Sequence, residues 1–219
     1  MLDAAIALAD SDGMESLTMR RLGQALGVEA MSLYNHVANK DDILNGIIEM
    51  VTSEIALPSR DGDWKAEIRR SAISAHEALW RHRWACSLMM SPAAISPARL
   101  RWMDSVLGCL RESGFSAELT HHAYHALDSH IVGFTLWAVS LPATAEGLKE
   151  IGANFLQTLV IEDHPYLAEH IEYHISDTSH DEDGEGEGEG EFEFGLDLIL
   201  NGIERIRDMD APQTPENEV

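Results

Sequence analysis

Residues 18–36 read Thr18-Met19-Arg20-Arg21-Leu22-Gly23-Gln24-Ala25-Leu26-Gly27-Val28-Glu29-Ala30-Met31-Ser32-Leu33-Tyr34-Asn35-His36. Thr18 has the hydroxyl of a helix N-cap, able to accept a hydrogen bond from an otherwise unpaired N–H. Leu22, Ala25 and Leu26 recur at helical spacing, which predicts an amphipathic helix with those three residues inward. Gly27 stops it, because only glycine takes a left-handed backbone without steric cost. A third helix is expected from about Glu29 to His36, with Val28 and Leu33 joining the interior. Before this stretch, Leu2, Ala5, Ile6 and Ala9 predict a bracing helix over residues 2–10, ended by Asp12-Gly13. Two short helices joined by a tight turn and braced by another make a helix-turn-helix head, whose last helix can enter a major groove.

Outward from the head, Asn39 is the next expected N-cap, and Asp42 three residues on resembles a capping box. A helix follows from Lys40 to about Ala56. Leu57 to Asp63 combines proline, glycine and charge, and is read as a linker. Longer helices are expected over Trp64–Arg83, Pro97–Glu112, Ser116–Ser140 and Ala145–Val160, with Ser96-Pro97 as a cap followed by proline at the first helical position. Residues 176–191 are read as a disordered acidic loop, since they hold acid and glycine and almost nothing to bury. Phe192 to Asp208 is an apolar helix whose hydrophobic surface wraps too far round for one core contact, which hints at a partner. Residues 209–219 are expected to be a disordered tail. No strand-like alternation is present, so the fold class is all-α. The domains are residues 1–56, the linker 57–63, and a larger body over 64–208.

Composition sets limits. The formal net charge of −23 speaks against nucleic acid at first sight, because phosphate contacts need Lys and Arg. Nine acidic residues between Asp177 and Glu193, with no basic ones, supply much of that excess away from the head. The first 50 residues nonetheless hold eight Asp/Glu against Arg20, Arg21 and Lys40. Two cysteines outside any CxxC pair exclude a disulfide framework. No apolar run reaches the roughly 18 residues of a membrane span, and no signal peptide opens the chain, so a cytoplasmic protein is expected. No GxSxG, P-loop or Rossmann glycine pattern is present, and His170-Ile171-Glu172-Tyr173-His174 is not HExxH.

The strings D-A-A-x-x-L-A, L-T-M-R-R-L, A-L-G-V, S-L-Y-N-H-V and N-K-D-D-I-L, in that order from Met1 to about Met50, resemble the TetR family of bacterial regulators. Phe192-Glu193-Phe194-Gly195-Leu196-Asp197 resembles the last helix of its tetracycline-repressor-type C-terminal domain. The resemblance implies a homodimer that binds a palindromic DNA operator and is released by a small-molecule effector, with no catalytic role, no cofactor and no membrane. It implies that Ala30, Met31, Ser32, Tyr34, Asn35 and His36 face DNA. Under that resemblance Asn35 can pair with adenine, and Met31 or Ala30 can touch a thymine methyl. Tyr34, His36 and Lys40 resemble the positions that grip phosphate, Arg20 could reach phosphate as well, and Thr18 is placed in the same expected contact set. Family members begin several residues earlier with basic groups, so either a start upstream of Met1 or a missing arm is expected.

The resemblance further implies a ligand pocket in the body, for which His76, Trp80, Met89, Met90, Trp102, Met103, His125 and Trp137 are the candidate lining. Where tetracycline-binding members use a metal-binding histidine, this chain reads Ser87-Leu88-Met89-Met90-Ser91-Pro92, so a different effector is expected. The helices over 116–140 and 192–208 would pair with their copies in a four-helix bundle. Two rival readings remain. His121 with His125, or His170 with His174, each one turn apart and near Asp128 or Glu172, could serve a helical-bundle metallohydrolase. Alternatively the chain is a ligand-sensing adaptor without DNA binding.

Overall fold

The computed structural model describes residues 1–89, 96–142, 144–177 and 188–210. Every regular element among them is helical. The α-helices are α1 (Leu2–Asp12), α2 (Met19–Leu26), α3 (Ala30–Leu33), α4 (Lys40–Ser53), α5 (Trp64–Arg81), α6 (Ala85–Met89), α7 (Pro97–Glu112), α8 (Ala117–Ser140), α9 (Ala145–Thr158), α10 (Pro165–Asp177) and α11 (Gly188–Asp210). Short 3-10 turns lie at Met14–Ser16 and Ile161–Asp163.

Local chemistry sets the boundaries. Thr18 Oγ1 accepts the Arg21 N–H at 3.2 Å, and Gly27 at φ 68° closes α2. Asn39 Oδ1 accepts the Asp42 N–H at 3.0 Å, while the Asp42 carboxylate reaches back to the Ala38 N–H at 2.8 Å. Asp63 and Ser96 cap α5 and α7 in the same way, and Pro97 opens α7. Each such cap contributes about 1 kcal/mol by satisfying an orphan donor.

The described residues form two compact units, one of residues 1–136 with 195–210 and the other of 137–194. In the first, Ala5, Ala9, Leu17, Leu22, Leu33, Ile43 and Ile47 make the core of the head. Behind it, Ile68, Ala72 and Leu79 of α5 are buried, as are Val106 and Leu110 of α7, Leu127 and Ile131 of α8, and Leu196 and Leu200 of α11. Trp64 meets Phe115 edge-on at 4.8 Å, and the Arg207 guanidinium lies over both rings. Arg69 bonds Asp197 at 2.8 Å, and Lys65 bonds Asn201 and Glu204 at 2.6 Å each, which fastens α11 to α5. A Cβ on Gly195 would lie 2.5 Å from the His130 ring, so glycine is what lets α11 approach α8 there. In the second unit, Gly152 of α9 sits against Ile171 and Ile175 of α10.

Three expectations are corrected. Ala25, Leu26 and Val28 are exposed, not interior, because α2 turns Leu22 and Gly23 inward. A Cβ on Gly23 would stand 2.9 Å from the Val28 carbonyl, so the turn packs on the glycine itself. The ends of the stretch 176–191 are helical, since α10 runs through Asp177 and α11 begins at Gly188. Residues 178–187 lie outside the described residues. Glu191 falls in the first turn of α11, where the helix dipole favours negative charge. At the other end, Met209 and Asp210 belong to α11, and residues 211–219 lie outside the described residues. Helix α10 and the short α6 are elements that periodicity alone missed.

The linker is pinned. Arg60 bonds Glu112 at 2.9 Å and Asp104 at 3.4 Å, lying across Gly108 of α7. Arg70 donates to the Leu57 carbonyl at 2.7 Å, and Glu67 accepts the Ser59 N–H at 2.8 Å.

Candidate nucleic-acid interface and effector site

Helix α3 is a single turn, but the chain keeps turning after it. The Asn35 and His36 N–H groups bond the Ser32 and Leu33 carbonyls at 3.2 and 2.9 Å. Leu33 is buried and anchors the segment, which leaves Met31 at 75% and Tyr34 at 46% exposure, with Asn35 and His36 exposed beside them. Ala30 and Ser32 are half-buried, and the Ser32 hydroxyl donates to the Glu29 carbonyl at 2.7 Å. Thr18, Arg20 and Lys40 are exposed. Lys40 is the first residue of α4, so its ammonium adds to the positive end of a helix. Arg21 is committed to Asp12, whereas Arg20 and Lys40 make no ion pair among the described residues.

The acidic balance of the head is partly absorbed. Asp12 pairs with Arg21, Asp10 receives His82 and the Trp84 indole N–H, Asp42 holds the Ala38 N–H, and Glu49 holds the Ala98 N–H. Burial pushes the Glu49 carboxyl up, but the bonds from Ala98, Ser96 and Arg101 outweigh it and hold the group below its usual range.

In the body, the expected pocket lining scatters. His76, Met89 and Trp102 are buried, Trp80 and Met103 half-buried, and His125 and Trp137 exposed. Met90 lies outside the described residues. Ala123, Tyr124, Leu127 and Ile131 form the inward face of α8, which turns His125 and Ala126 outward. Of the described candidates, only Trp102 lines the hollow between α5, α7 and α8. That hollow is about 10 Å³, near the least that admits one water molecule. Its walls are Ile68, Ser71, Ala72, Trp102, Val106, Tyr124, Leu127, Asp128 and Ile131. The polar groups there are few. The Trp102 indole N–H donates to Ser71 Oγ at 3.0 Å, and the Tyr124 hydroxyl lies 3.5 Å from Asp128 Oδ1. Burial, and then the Asp128 carboxylate, pushes the Tyr124 phenol up to about 12. Ser71 and Tyr124 went unread in the sequence, and Asp128 was read there only as a neighbour of the His121 and His125 pair. Their signal was the i, i+4 spacing of Tyr124 and Asp128 on one face of an apolar helix.

His76 serves the core instead. Thr135 Oγ1 donates to the Ile131 carbonyl at 2.6 Å, so it accepts the His76 Nδ1–H at 2.7 Å. Burial, and then His130, lowers the His76 imidazole to about 4, leaving it neutral. For the metal alternative, the His121 and His125 rings stand 4.6 Å apart. No group of three or more His, Cys, Asp or Glu among the described residues is arranged to hold an ion.

Residues 1–47 match the model for bacterial regulatory proteins of the tetR family, and residues 57–207 match the tetracyclin repressor-like C-terminal domain. The chain belongs to the TetR family. It is 30% identical over 135 residues to the HTH-type transcriptional repressor DrrR1 of Streptomyces coeruleorubidus, covering 61% of this chain and 50% of that protein. It is 34% identical over 144 residues to the class E tetracycline repressor protein of Escherichia coli, covering 64% and 65%. The alignments thus span half to two thirds of these relatives' length. A possible TetR family transcriptional regulator from Streptomyces coelicolor A3(2) superposes with TM-score 0.72 at 28% identity, covering 94% of this chain and 97% of that one. These relatives are named as regulators, and none as an enzyme.

Proposed function

We propose that this chain is a ligand-responsive transcriptional regulator, a repressor that binds a two-fold-symmetric operator as a homodimer and leaves it when a small molecule enters the body. The observation that carries the reading is the exposed run Met31, Tyr34, Asn35 and His36 beside Lys40 in a TetR-family head. Residues 1–56 meet DNA, 57–63 join, and 64–208 sense and dimerise. Asn35 and Met31 choose bases, while Tyr34, His36, Lys40 and Arg20 hold phosphate, with Thr18, Ala30 and Ser32 lining the approach. Such a protein works in the cytoplasm, where its DNA is.

Two faces support pairing of copies. Phe194, Leu198, Ile206 and Met209, exposed at 68, 58, 47 and 81%, follow one another along one side of α11. Ala126, Ser129 and Gly133 give α8 an exposed stripe of small residues that admits a close helix. The effector site is the hollow of Ser71, Trp102, Tyr124 and Asp128, whose apolar walls and few polar groups have the make-up of a small-molecule site. Its present volume requires α7 and α8 to part on binding. The relation to a protein named as a tetracycline repressor supports an effector of drug size.

The test is selection of duplexes from a random pool by the purified full chain, followed by a salt series. Enrichment of an inverted repeat, with affinity falling steeply as salt rises, supports the reading. No enrichment at low ionic strength contradicts it. In the selected site, Tyr34→Ala and Lys40→Ala weaken binding to every sequence, whereas Asn35→Ala relaxes preference at one base pair per half-site by about 1–3 kcal/mol.

A further inference from the structure

Three imidazoles crowd one turn of α8, on the side away from the core. His121, His122 and His125 are all exposed. The ring centres of His121 and His125 lie 4.6 Å apart with their planes at 77°, and those of His121 and His122 lie 5.5 Å apart. None of the three side chains makes a hydrogen bond or ion pair among the described residues. Ala123 and Tyr124, between His121 and His125 in the chain, are buried, so the turn that carries the pair is held from behind. At about 100° per residue, His122 heads the exposed stripe of Ala126, Ser129 and Gly133, whereas His121 and His125 lie to one side of it.

We propose that His121 and His125 chelate a late first-row transition ion, of the class of Ni²⁺, Cu²⁺ or Zn²⁺. An ion held about 2.0–2.1 Å from one nitrogen of each imidazole, at an angle of about 90–110°, puts the ring centres about 4.5–5.2 Å apart. The two rings already stand at that separation, so binding needs only rotations of exposed side chains on a helix that fixes their spacing. Imidazole nitrogen suits these ions, whereas Mg²⁺ and Ca²⁺ take oxygen ligands. No third protein group joins the pair among the described residues. Asp128, next along that side, is turned to the Tyr124 hydroxyl at 3.5 Å. Water therefore completes the coordination, and the site is an open chelate, unlike a closed structural zinc centre. The net charge of −23 draws cations to the surface of the chain. Occupancy ties two successive turns of α8 together from outside, and so stiffens the turn whose Tyr124 walls the hollow. The site is separate from the recognition segment and from the hollow itself.

The experiment is isothermal titration of the full chain, purified without an affinity tag, with NiCl₂ at pH 7.5 for wild type, His121→Ala, His125→Ala and His122→Ala. Alanine is the best helix former and all three positions are exposed, so the variants keep the fold. Wild type should take up an ion that either His121→Ala or His125→Ala loses, the affinity falling on the order of a hundredfold as the gain from two linked ligands disappears. His122→Ala should keep that ion, and MgCl₂ should not displace it. Amide hydrogen exchange on wild type alone gives a second reading, in which NiCl₂ should slow exchange over residues 121–125. Absence of Ni²⁺ uptake, or unchanged exchange over that turn, overturns the proposal. Equal affinity in wild type and His121→Ala, as an ion held elsewhere on the chain would give, overturns it too, and so does loss with His122→Ala or displacement by MgCl₂. Neither measurement uses DNA or an effector, so failure of the operator reading cannot be mistaken for failure of the chelate.

Discussion

The Glu49 carboxylate of α4 accepts the backbone N–H of Ala98, in the first turn of α7, at 2.7 Å. A second oxygen takes Arg101 at 3.1 Å. The same helix α7 carries Trp102, one turn on, in the wall of the hollow. One carboxylate therefore joins a helix of the head to a helix that any occupant of the hollow must touch. Replacing Glu49 by Ala leaves the Ala98 N–H without its acceptor, at a cost of about 1 kcal/mol, which lowers the melting temperature by about 2–4 °C. Because the Glu49 carboxyl is held below its usual range, this contribution is present above about pH 4.5 and is lost as pH falls further. Thermal melts of wild type and Glu49→Ala at pH 7 and pH 4 check both statements; the difference should shrink at the lower pH.

Gly23 is the tightest point of the helix-turn-helix. A Cβ there would meet the Val28 carbonyl at 2.9 Å and the Ala30 backbone at 3.2 Å. Gly23→Ala should therefore destabilise the head by about 1–3 kcal/mol through backbone displacement. Gly27→Ala meets open space but a left-handed φ of 68°, and should cost about 1–2 kcal/mol. Urea denaturation of both variants separates the two effects, since only Gly23→Ala should also displace α3 and abolish duplex binding.

Neutral His76 makes the body sensitive to acid. Its folded-state value of about 4 lies below the ordinary 6.5, so the unfolded chain binds the proton more readily. Stability is therefore fully present above about pH 6.5 and falls as pH drops toward 4. The loss attributable to this residue is of the order of 2–3 kcal/mol by pH 4.5. Comparing denaturation of wild type and His76→Gln at pH 7.5 and 4.5 tests it; the variant should show a shallower acid loss.

The exposed faces of α8 and α11 predict a cost to pairing. Leu198→Arg places a charge in the middle of the apolar stripe of α11 without touching its buried side, where Leu196 and Leu200 sit. Sedimentation should find the variant shifted to monomer with its helix content intact. A dimer as tight as wild type would place the interface elsewhere.

Much of the fold was legible because it depends on local chemistry. The caps at Thr18, Asn39 and Ser96, the stop at Gly27 and the full span of α7 all follow from side chains acting within four residues. The exposure of Met31, Tyr34, Asn35 and His36 agrees with what the resemblance implied, whereas Ala30 and Ser32 of the same set are half-buried. What stayed hidden depends on partners distant in sequence. Leu26 and Val28 look like core by type, and only the packing of the turn on Gly23 shows why they are not. His125 is pocket-like by composition, but the phase of this part of α8 is set by Ala123, Tyr124, Leu127 and Ile131, the face that is buried. The carboxylates Asp10, Glu49 and Glu54 read as surface charge, and their roles appear only when residues 28 to 74 positions away arrive beside them.

The most direct test of the central claim is the stoichiometry and footprint of the full chain on its selected duplex. The account predicts two protomers per duplex, a footprint with two-fold symmetry, and half-sites about one helical turn or a multiple of it apart. A single protomer on an asymmetric site, or a monomer indifferent to every duplex at low ionic strength, would contradict it.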